Sequence, residues 1–342
     1  MKEVASEFNI KGEVKEITPH GNGHIHQTFK VTTDKGRSYL LQEVNTHVFP
    51  DVEGLMKNIH LVTEHLQSVN TKGPNLELIK TKSGQTYLDT NETNWRMFVF
   101  LEELQSHDLI DDQQMIHEGA KALGKFIKDL DGLDDNKVKP PITRFHDLSF
   151  RLAQLDDAIS NGIKSRIEQC KSEIMLIQEH AQDQLRLEKL KMEGTIPIRI
   201  CHNDTKLNNV LFDKYKKARV VIDLDTVMPG IIHYDFGDGI RTACSTANED
   251  ERDLQRVGFN TAKLEAFESG FLEPLEDILT PVEKNTLHLS IPLFPFMQTV
   301  RFLTDYLLGD PYYHIQYEEH NLVRARNQLK LFQEATKVYP TA

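Results

Sequence analysis

Apolar residues in the first hundred positions come in short runs that end at Gly, Asn or Asp. Such runs are typical of β-strands, and they cover 14–17, 28–33, 39–44, 76–79, 86–88 and 95–100. Between the third and fourth runs, the apolar residues of 51–66 fall on one helical stripe. Asp51 stands at the start of that stripe, where its carboxylate can accept unpaired backbone N–H groups. The predicted order is therefore three strands, one helix and further strands.

From residue 105 onward the apolar spacing is mainly helical. The predicted helical segments are 115–130, 149–160, 165–191, 252–271, 283–308 and 318–337. A polar, proline-containing loop covers 134–142, and a strand over 196–201 precedes a hairpin through 212–219. We expect an α+β protein in two lobes, a strand-rich N-terminal lobe over 1–100 and a larger helical C-terminal lobe over 101–342.

Composition and charge narrow the class of protein. The chain has 342 residues and a formal net charge of −12, and no run of Lys and Arg could follow a nucleic-acid backbone. Its three cysteines lack metal-like spacing, which favours a reducing compartment over a disulfide scaffold. The first residues include acids and no apolar core, and the longest apolar stretch, 289–300, contains two prolines and is too short to span a bilayer. We expect a cytoplasmic protein without nucleic-acid or membrane partners, and no obligate protein partner is evident.

The most informative segment is 201–210, which is followed by an apolar run that ends at Asp223. It contains the pattern His-x-Asp-x4-Asn, with Asp204 as the acid and Asn209 as the amide. This order and spacing predict kinase-type phosphoryl transfer, in which Asp204 receives the proton of the attacking hydroxyl. Asn209 and Asp223 offer the oxygen ligands that Mg²⁺ prefers and would hold it against the phosphates of ATP. Asp225 shares a strand face with Asp223, so it either joins the metal or accepts hydrogen bonds from the next loop.

Three residues near this motif have other predicted roles. His202 is interpreted as an inward-facing residue that braces the loop. Lys206 either neutralises charge on the transferring phosphoryl group or is a surface lysine. Asp235 begins an Asp-Phe-Gly sequence like that of protein kinases, but it is far from Asp204 and follows a Pro-Gly turn. We expect it to anchor the large lobe rather than bind metal.

The N-terminal region contains a candidate phosphate-binding turn. Gly21 and Gly23 permit a tight turn whose backbone N–H groups can approach phosphates. His26 stands where a third glycine would complete a Gly-x-Gly-x-x-Gly loop. An ordinary hairpin explains the pattern equally well, so its position at the front of a strand-rich lobe is what favours nucleotide binding.

The same lobe has a candidate adenine site and lacks an expected lysine. The segment 98–103, with Phe100 and Leu101, lies where the hinge of a kinase would meet the adenine edge; a buried strand that binds nothing is the alternative. Gln42 occupies the strand position where protein kinases keep a lysine on the nucleotide phosphates. An amide can donate a hydrogen bond but carries no charge, so phosphate binding must depend more on Mg²⁺ and on other donors.

Taken together, these motifs resemble those of the aminoglycoside phosphotransferase and choline kinase superfamily, and within it the N-acetylhexosamine 1-kinase family. The resemblance runs over nearly the whole chain. The runs that carry it are Gly21-x-Gly-His-Ile25, Tyr39-x-Leu-Gln42, His202 to Asn209, Ile222 to Thr226, Met228-Pro-Gly230, Asp235 to Asp238, Arg301-Phe-Leu303, Asp305-Tyr-Leu307 and Glu319 to Arg324. The resemblance implies a two-lobed protein-kinase-like fold and ATP-dependent, Mg²⁺-dependent phosphorylation of the anomeric hydroxyl of N-acetylglucosamine or N-acetylgalactosamine.

The resemblance also implies residue roles. Asp204 would be the catalytic base and Asp223 the magnesium ligand, while His24, Arg301 and Tyr312 would contact the sugar. A structural salt bridge is the alternative for Arg301, and a packed aromatic is the alternative for Tyr312, because a second tyrosine follows it directly.

Two further functions stay open at this point. One is a related small-molecule kinase that acts on an unacetylated hexose, an amino alcohol or homoserine. The other is an ATP-binding regulatory protein that has lost catalysis, against which the intact acids and amide of the motif argue. The chain departs from the family at His26, where relatives usually carry Asn, and this affects the detail of the phosphate-binding turn.

Overall fold

A computed structural model describes residues 1–21, 25–70 and 73–339. Its N-terminal part is one antiparallel sheet of five strands in the order β1-β2-β3-β5-β4. The strands are β1 Val14–Pro19, β2 Gln27–Thr33, β3 Ser38–Val44, β4 Leu88–Asp89 and β5 Asn94–Val99. Three of the predicted strands thus become β1, β2 and β3, and the last becomes β5. The predicted strand over 86–88 shrinks to the two residues of β4, and the one over 76–79 to an isolated bridge between Leu78 and Phe98.

One long helix accompanies this sheet. It is α2, Val52–Val69, and the short helix α1, Lys2–Ser6, precedes the sheet and was not predicted. The carboxylate of Asp51 accepts a hydrogen bond from the backbone N–H of Gly54, which confirms the predicted N-terminal cap. Leu55, Met56 and Ile59 on its apolar stripe are buried, so the helix packs as the periodicity indicates.

Helices make up most of the chain beyond residue 112. They are α3 Gln113–Asp129, α4 Leu148–Asn161, α5 Lys164–Gln169, α6 Lys171–Gln184, α7 Arg186–Met192, α8 Ile232–Cys244, α9 Thr261–Leu272, α10 Pro281–Thr286, α11 Ser290–Leu308 and α12 His320–Val338. The predicted helix over 165–191 is three helices, and the one over 252–271 begins only at Thr261. Helix α8 was not predicted. Two glycines in its interior, Gly237 and Gly239, are poor helix formers, and nearly all of its residues are buried, polar ones included.

Two small antiparallel ladders lie among these helices. Strand β6, Arg199–Cys201, pairs with β9, Met228–Gly230, and β7, Val210–Phe212, pairs with β8, Ala218–Val221. The hairpin through 212–219 is therefore confirmed. The predicted strand over 196–201 is only its last three residues, and the Pro-Gly sequence expected to form a turn belongs to a strand, β9. Backbone pairing of β9 with β6 holds the Pro-Gly sequence in an extended conformation.

Side chains of β5 alternate between the two faces of the sheet. Trp95 and Met97 pack into a core with β2 and β3, whereas Phe98 packs with α2 and with large-lobe residues. Arg96 shares the face of Phe98, which is the face toward the large lobe. The fold is the predicted one, an α+β kinase-like arrangement of a strand-rich part and a helical part. The change from sheet to helices falls between Val99 and Gln113, and a lobe boundary at residue 100 stays a prediction.

Candidate active site

The two small ladders bring the acidic and amide residues of the motif together. The chain leaves β6 at Cys201, runs through the loop 202–206 and forms a short 3₁₀ turn, Leu207–Asn209, before β7. In the β7–β8 ladder Val210 pairs with Val221, and just beyond it the N–H of Ile222 donates to the carbonyl of Asn209 at 2.9 Å. Asn209 is therefore beside the residue that precedes Asp223.

Asp204 is the partly exposed acid at the centre of this loop. Its Oδ1 lies 3.1 Å from Nζ of Lys206, and its Oδ2 accepts from Nδ2 of Asn209 at 3.2 Å. The same Nδ2 donates to the Asp204 carbonyl at 2.8 Å, so the amide fixes the acid relative to the backbone. The negative charge of Asp204 raises the pKa of Lys206, so the lysine is a cation held on the acid. Lys206 is thus more than an ordinary surface lysine.

Buried residues brace the loop from behind, as predicted for His202, and Asp235, which was expected to anchor the large lobe rather than bind metal, holds the same loop. His202 is fully buried; its Nδ1 accepts from the N–H of Asp204 at 3.3 Å, and its Nε2 donates to the carbonyl of Ile222 at 2.9 Å. Asp235 on α8 accepts from the N–H groups of His202 and Asn203 at 2.8 and 2.6 Å. Burial raises the pKa of Asp235 to about 6. Its contacts are with backbone donors, which is a structural role.

Asp223 and Asn209 form a donor set that suits a hard cation. Asp223 adopts a left-handed backbone conformation, φ 62° and ψ 64°, and its side chain reaches solvent. Desolvation by the surrounding residues, together with the negative charges of Asp225 and Asp204, raises the pKa of the Asp223 carboxyl. Asn209 uses its amide nitrogen on Asp204, which leaves its carbonyl oxygen for a metal. This excess of negative charge and of oxygen donors fits Mg²⁺.

A cation at this site would need further ligands from a nucleotide. The described residues contain no cluster of three or more His, Cys, Asp or Glu side chains placed to hold a metal. One carboxylate and one amide are few ligands for Mg²⁺, which usually keeps water and takes phosphate oxygens to complete its shell. The site therefore matches a metal that arrives with ATP better than one bound permanently.

Asp225 has partners in the small lobe. Both of its carboxylate oxygens accept from the guanidinium of Arg96, one of them at 2.8 Å from Nη2, and Oδ2 also lies 2.7 Å from Nε2 of His26. Burial alone would raise the pKa of Asp225, but Arg96 and His26 hold it below its usual range. With these contacts Asp225 is not free to bind metal, and its donors come from β5 and from the residue directly before β2 rather than from the next loop.

Gln42 contacts this network from the middle of the sheet. Its Oε1 accepts from Nε of Arg96 at 2.9 Å, and its Nε2 donates to Oγ1 of Thr28 at 3.1 Å. Both ends of the amide are thus engaged with side chains on the neighbouring strands. A direct contact between Gln42 and nucleotide phosphates stays a prediction, and the structure places the nearest cation on Arg96.

The other nucleotide-side residues have the following positions. Gly21 has φ +78° with open space around it, a backbone conformation that glycine adopts readily. Gly23 and His24 lie outside the described residues. Phe100 follows β5; the ring of His20 meets it edge-on at 5.0 Å, and Nζ of Lys30 lies 4.0 Å from its centroid. Leu101 begins the connection to α3. Adenine binding by Phe100 and Leu101 remains a prediction.

The predicted acceptor side centres on Arg301 of α11. Its guanidinium lies over the rings of Phe145 and Tyr313, at 5.2 and 5.7 Å, and its only side-chain hydrogen bond among the described residues goes to Gln298. No carboxylate of the described residues pairs with it, which removes the salt-bridge alternative. A second guanidinium, Arg151, donates from Nη2 to the carbonyl of Phe145 at 3.0 Å, and Phe145 is the residue whose ring lies under Arg301. Burial and the charge of Arg301 lower the pKa of Arg151 to about 10.

His146 connects this pair to the catalytic loop. It is buried, and its Nε2 donates to the carbonyl of Asn203 at 2.9 Å, directly before Asp204. Burial lowers the pKa of His146 to about 3, so it is neutral, and no polar atom of the described residues contacts its Nδ1. Charges of Arg301, Asp204 and Arg151 all act on it. The ring of Phe145, over which Arg301 lies, is 4.3 Å from that of His146, so Arg301 is close to the loop that carries Asp204.

The adjoining tyrosines differ in exposure. Tyr312 is 51% exposed, whereas Tyr313 is half-buried against Phe302, with ring centroids 4.8 Å apart. The backbone N–H groups of both donate to the buried carboxylate of Asp305, each at 2.9 Å. Asp305 thus fixes the loop that carries them. Tyr313 is the one that contacts Arg301, and a sugar contact by Tyr312 stays a prediction.

Sequence reasoning missed three residues that organise this region: Arg96, His146 and Arg151. Arg96 had a usable signal, because a single charge stands in an otherwise apolar strand pattern. His146 and Arg151 had none, since they follow a polar loop whose position relative to Asp204 depends on the packing of α4 against α11.

A two-lobed kinase-like fold with an acid, an amide and a second acid at the junction of its lobes defines a phosphotransferase class of protein. The chain matches the phosphotransferase enzyme family (APH) over residues 16–267, and it belongs to that family. No helix in the described residues has the length and apolar character needed to cross a membrane.

Solved structures of other proteins share this fold. Amicoumacin kinase hAmiN, in complex with AMP-PNP, Ca²⁺ and Ami, superposes with a TM-score of 0.62 at 13% identity, over 99% of this chain and 93% of that chain. A microcompartment-associated aminopropanol kinase gives 0.62 at 17% identity, over 98% and 95%. Choline kinase from Cryptosporidium parvum Iowa II gives 0.57 at 16% identity, over 95% and 91%. At such identities the likeness concerns the fold alone.

Proposed function

We propose that this protein is a small-molecule kinase that transfers the γ-phosphoryl group of ATP to the anomeric hydroxyl of an N-acetylhexosamine. The products would be ADP and N-acetylglucosamine or N-acetylgalactosamine 1-phosphate. The observation that carries the proposal is the convergence of Asp204, Asn209 and Asp223, because they are the proton acceptor and metal ligands that phosphoryl transfer to a hydroxyl requires.

Each residue has a definite task in this reaction. Asp204 orients the anomeric hydroxyl and takes its proton, and Lys206 on the same carboxylate offsets negative charge near the transferring group. Asn209 and Asp223 would hold Mg²⁺, and the bound ion would supply neutralisation of the charge on the phosphates. Gly21, Gly23, Gln42, Phe100 and Leu101 belong to the nucleotide side. Positioning and charge neutralisation supply most of the acceleration.

The acceptor side favours a neutral sugar over a cationic acceptor. Arg151 and Arg301 both contact Phe145, beside His146 and the loop that carries Asp204, and neither pairs with a carboxylate of the described residues. An amino alcohol or an aminoglycoside would carry its own positive charge into this region and would be repelled. Guanidinium N–H groups donate well to hydroxyl and carbonyl oxygens, which a sugar with an acetamido group presents. His24, Arg301 and Tyr312 are the proposed sugar contacts, on the motif resemblance.

A coupled assay of ADP release over an acceptor panel tests the proposal. The panel holds N-acetylglucosamine, N-acetylgalactosamine, glucose, galactose, homoserine, choline and aminopropanol, each with Mg²⁺-ATP. We expect the highest kcat/KM for an N-acetylhexosamine. A higher value for glucose or galactose would replace the acetylated substrate by an unacetylated hexose. A preference for choline or aminopropanol would contradict the charge reasoning, and no turnover with any acceptor, despite ATP binding, would favour a regulatory protein.

A further inference from the structure

A buried ion pair joins the small lobe to the metal-binding segment. Arg96 is 3% exposed and Asp225 is 3% exposed, and the guanidinium contacts both carboxylate oxygens. Burying such a pair costs desolvation and by itself seldom adds stability, so a bidentate pair at this place calls for a specific explanation. Its two partners stand 129 positions apart in the chain.

The cation of this pair stands one strand away from the expected lysine position. Thr28, Gln42 and Arg96 are register partners on β2, β3 and β5, so they form one row across the sheet. Hydrogen bonds run along this row from Thr28 to Gln42 and from Gln42 to Arg96. Gln42, in the place of the lysine, thus holds the guanidinium that β5 supplies.

The acid of the pair lies two residues beyond Asp223. Asp223 has a left-handed backbone, which is costly for a residue with a Cβ atom and persists only where neighbours hold it. On one side, the carbonyl of Ile222 accepts from His202. On the other side, Asp225 is held by Arg96 and by His26. The metal-ligating carboxylate therefore sits between two fixed points, one in each lobe.

His26 completes the contact. The backbone N–H of Asn45 donates to its Nδ1 at 3.1 Å, which leaves the proton on Nε2 to point at Asp225. Its ring stacks on Phe49 with centroids 5.6 Å apart. The residue that departs from the family pattern thus has a partner in the large lobe.

We propose that Arg96 is a positioning residue for magnesium-nucleotide binding: held by Gln42, it fixes Asp225 and thereby the backbone that presents Asp223 to the metal. This proposal rests on the proposed function in one respect, namely that Asp223 binds the metal ion of a magnesium-nucleotide complex. The role is distinct from that of a strand-borne lysine, because it acts through the metal-binding segment and not through the phosphates. It would hold whichever acceptor the enzyme uses.

Titration calorimetry on the full chain tests this without any acceptor. The variants are Arg96→Gln, Asp225→Asn, the double variant and Arg96→Lys, with ATP titrated in excess Mg²⁺ and again in EDTA. Arg37→Gln is the matched control, since Arg37 is a small-lobe arginine in an exposed ion pair with Glu77 at 3.3 Å. Thermal unfolding of each variant is recorded alongside.

We expect Arg96→Gln and Asp225→Asn each to raise the Kd for Mg²⁺-ATP by about tenfold or more, and the double variant to be no worse than either, because both act through one contact. Arg96→Lys should recover part of the affinity, the control should match wild type, and the Kd for ATP in EDTA should change less than about twofold. The proposal would be overturned if the two single-variant losses of Mg²⁺-ATP affinity multiplied in the double variant. It would also be overturned if ATP affinity in EDTA fell by the same factor, which would indicate direct contact between Arg96 and the phosphates. A wild-type Kd in Arg96→Gln would overturn it as well.

The same variants also distinguish a folding defect from a binding defect. If Arg96→Gln leaves Asp225 with His26 as its remaining side-chain partner and fails to fold, the double variant removes both charges of the pair and Arg96→Lys retains both. Mg²⁺-ATP affinity in those two then decides: a tenfold loss in the double variant with partial recovery in Arg96→Lys supports the proposal, and wild-type affinity in the folded double variant refutes it. Failure of the acceptor panel leaves these binding results unaffected, so the two proposals fail separately.

Discussion

Replacing Asp204 by Asn separates catalysis from folding. The substitution keeps the shape and removes one charge and one proton acceptor. Asparagine can still accept the hydrogen bond from Asn209 through its own oxygen, so the main loss is the pair with Lys206, whose side chain is 40% exposed. Ion pairs with such exposure are worth about 0.2–1 kcal/mol, and the free energy of unfolding should fall by no more than about 1 kcal/mol.

The loss of activity, expressed as a rise in the activation free energy, should be much larger than this loss of stability. A positioned acid or base contributes at least about 10²-fold, which corresponds to about 2.7 kcal/mol in the activation barrier. We therefore expect kcat of Asp204→Asn to fall by about 10²-fold or more, with the ATP Kd within a few-fold of wild type. The assay is coupled ADP release, with urea unfolding of the same preparation. Asp277→Asn, which changes an exposed carboxylate paired with Lys128, is the control and should retain kcat. A kcat near wild type in Asp204→Asn would refute the base role.

Three further outcomes are expected. Asp223→Ala should weaken Mg²⁺-ATP binding more than Asn209→Ala, because a carboxylate brings net charge to the cation and an amide brings only a dipole; equal Kd values in calorimetry would contradict this. Arg301→Ala should raise the sugar KM by about tenfold and leave the ATP KM unchanged, whereas Arg252→Ala, which removes another arginine stacked on a tyrosine, should change neither. Burial lowers the pKa of His146 to about 3, so its neutral form stabilises the fold above pH 6.5 and this contribution is lost as the pH falls toward 3. Urea unfolding at pH 7, 6 and 5 should show a smaller loss of stability in His146→Gln than in wild type, by up to about 1.4 kcal/mol per pH unit, with exposed His47→Gln as control.

The catalytic loop could be predicted from sequence because its chemistry is local. Asp204 and Asn209 are five positions apart, and the hairpin that brings Asp223 beside them has its own turn signals, so spacing alone indicates the site. The bracing by His202, and a structural rather than metal-binding role for Asp235, could be inferred for the same reason. Their partners lie within the loop itself or at Ile222, next to Asp223.

Contacts between the lobes could not be predicted in this way. Arg96 and Asp225 meet only after the sheet and the large lobe have packed, and no periodicity links positions so far apart. Arg301, His146 and Arg151 converge through the packing of α11 and α4, which the separate helical stripes do not specify. Helix α8 was missed for a different reason, since Gly237 and Gly239 in its interior weaken the helix propensity of its sequence.

The central claim concerns where the phosphoryl group goes. Phosphorus NMR of the product formed from N-acetylglucosamine and Mg²⁺-ATP tests it most directly, because a phosphate on C1 couples to the anomeric proton and a phosphate on C6 couples to two methylene protons. We predict a single new signal coupled to the anomeric proton, with ADP in equal amount. A signal from a 6-phosphate ester, or ADP released without a sugar phosphate, would contradict the account.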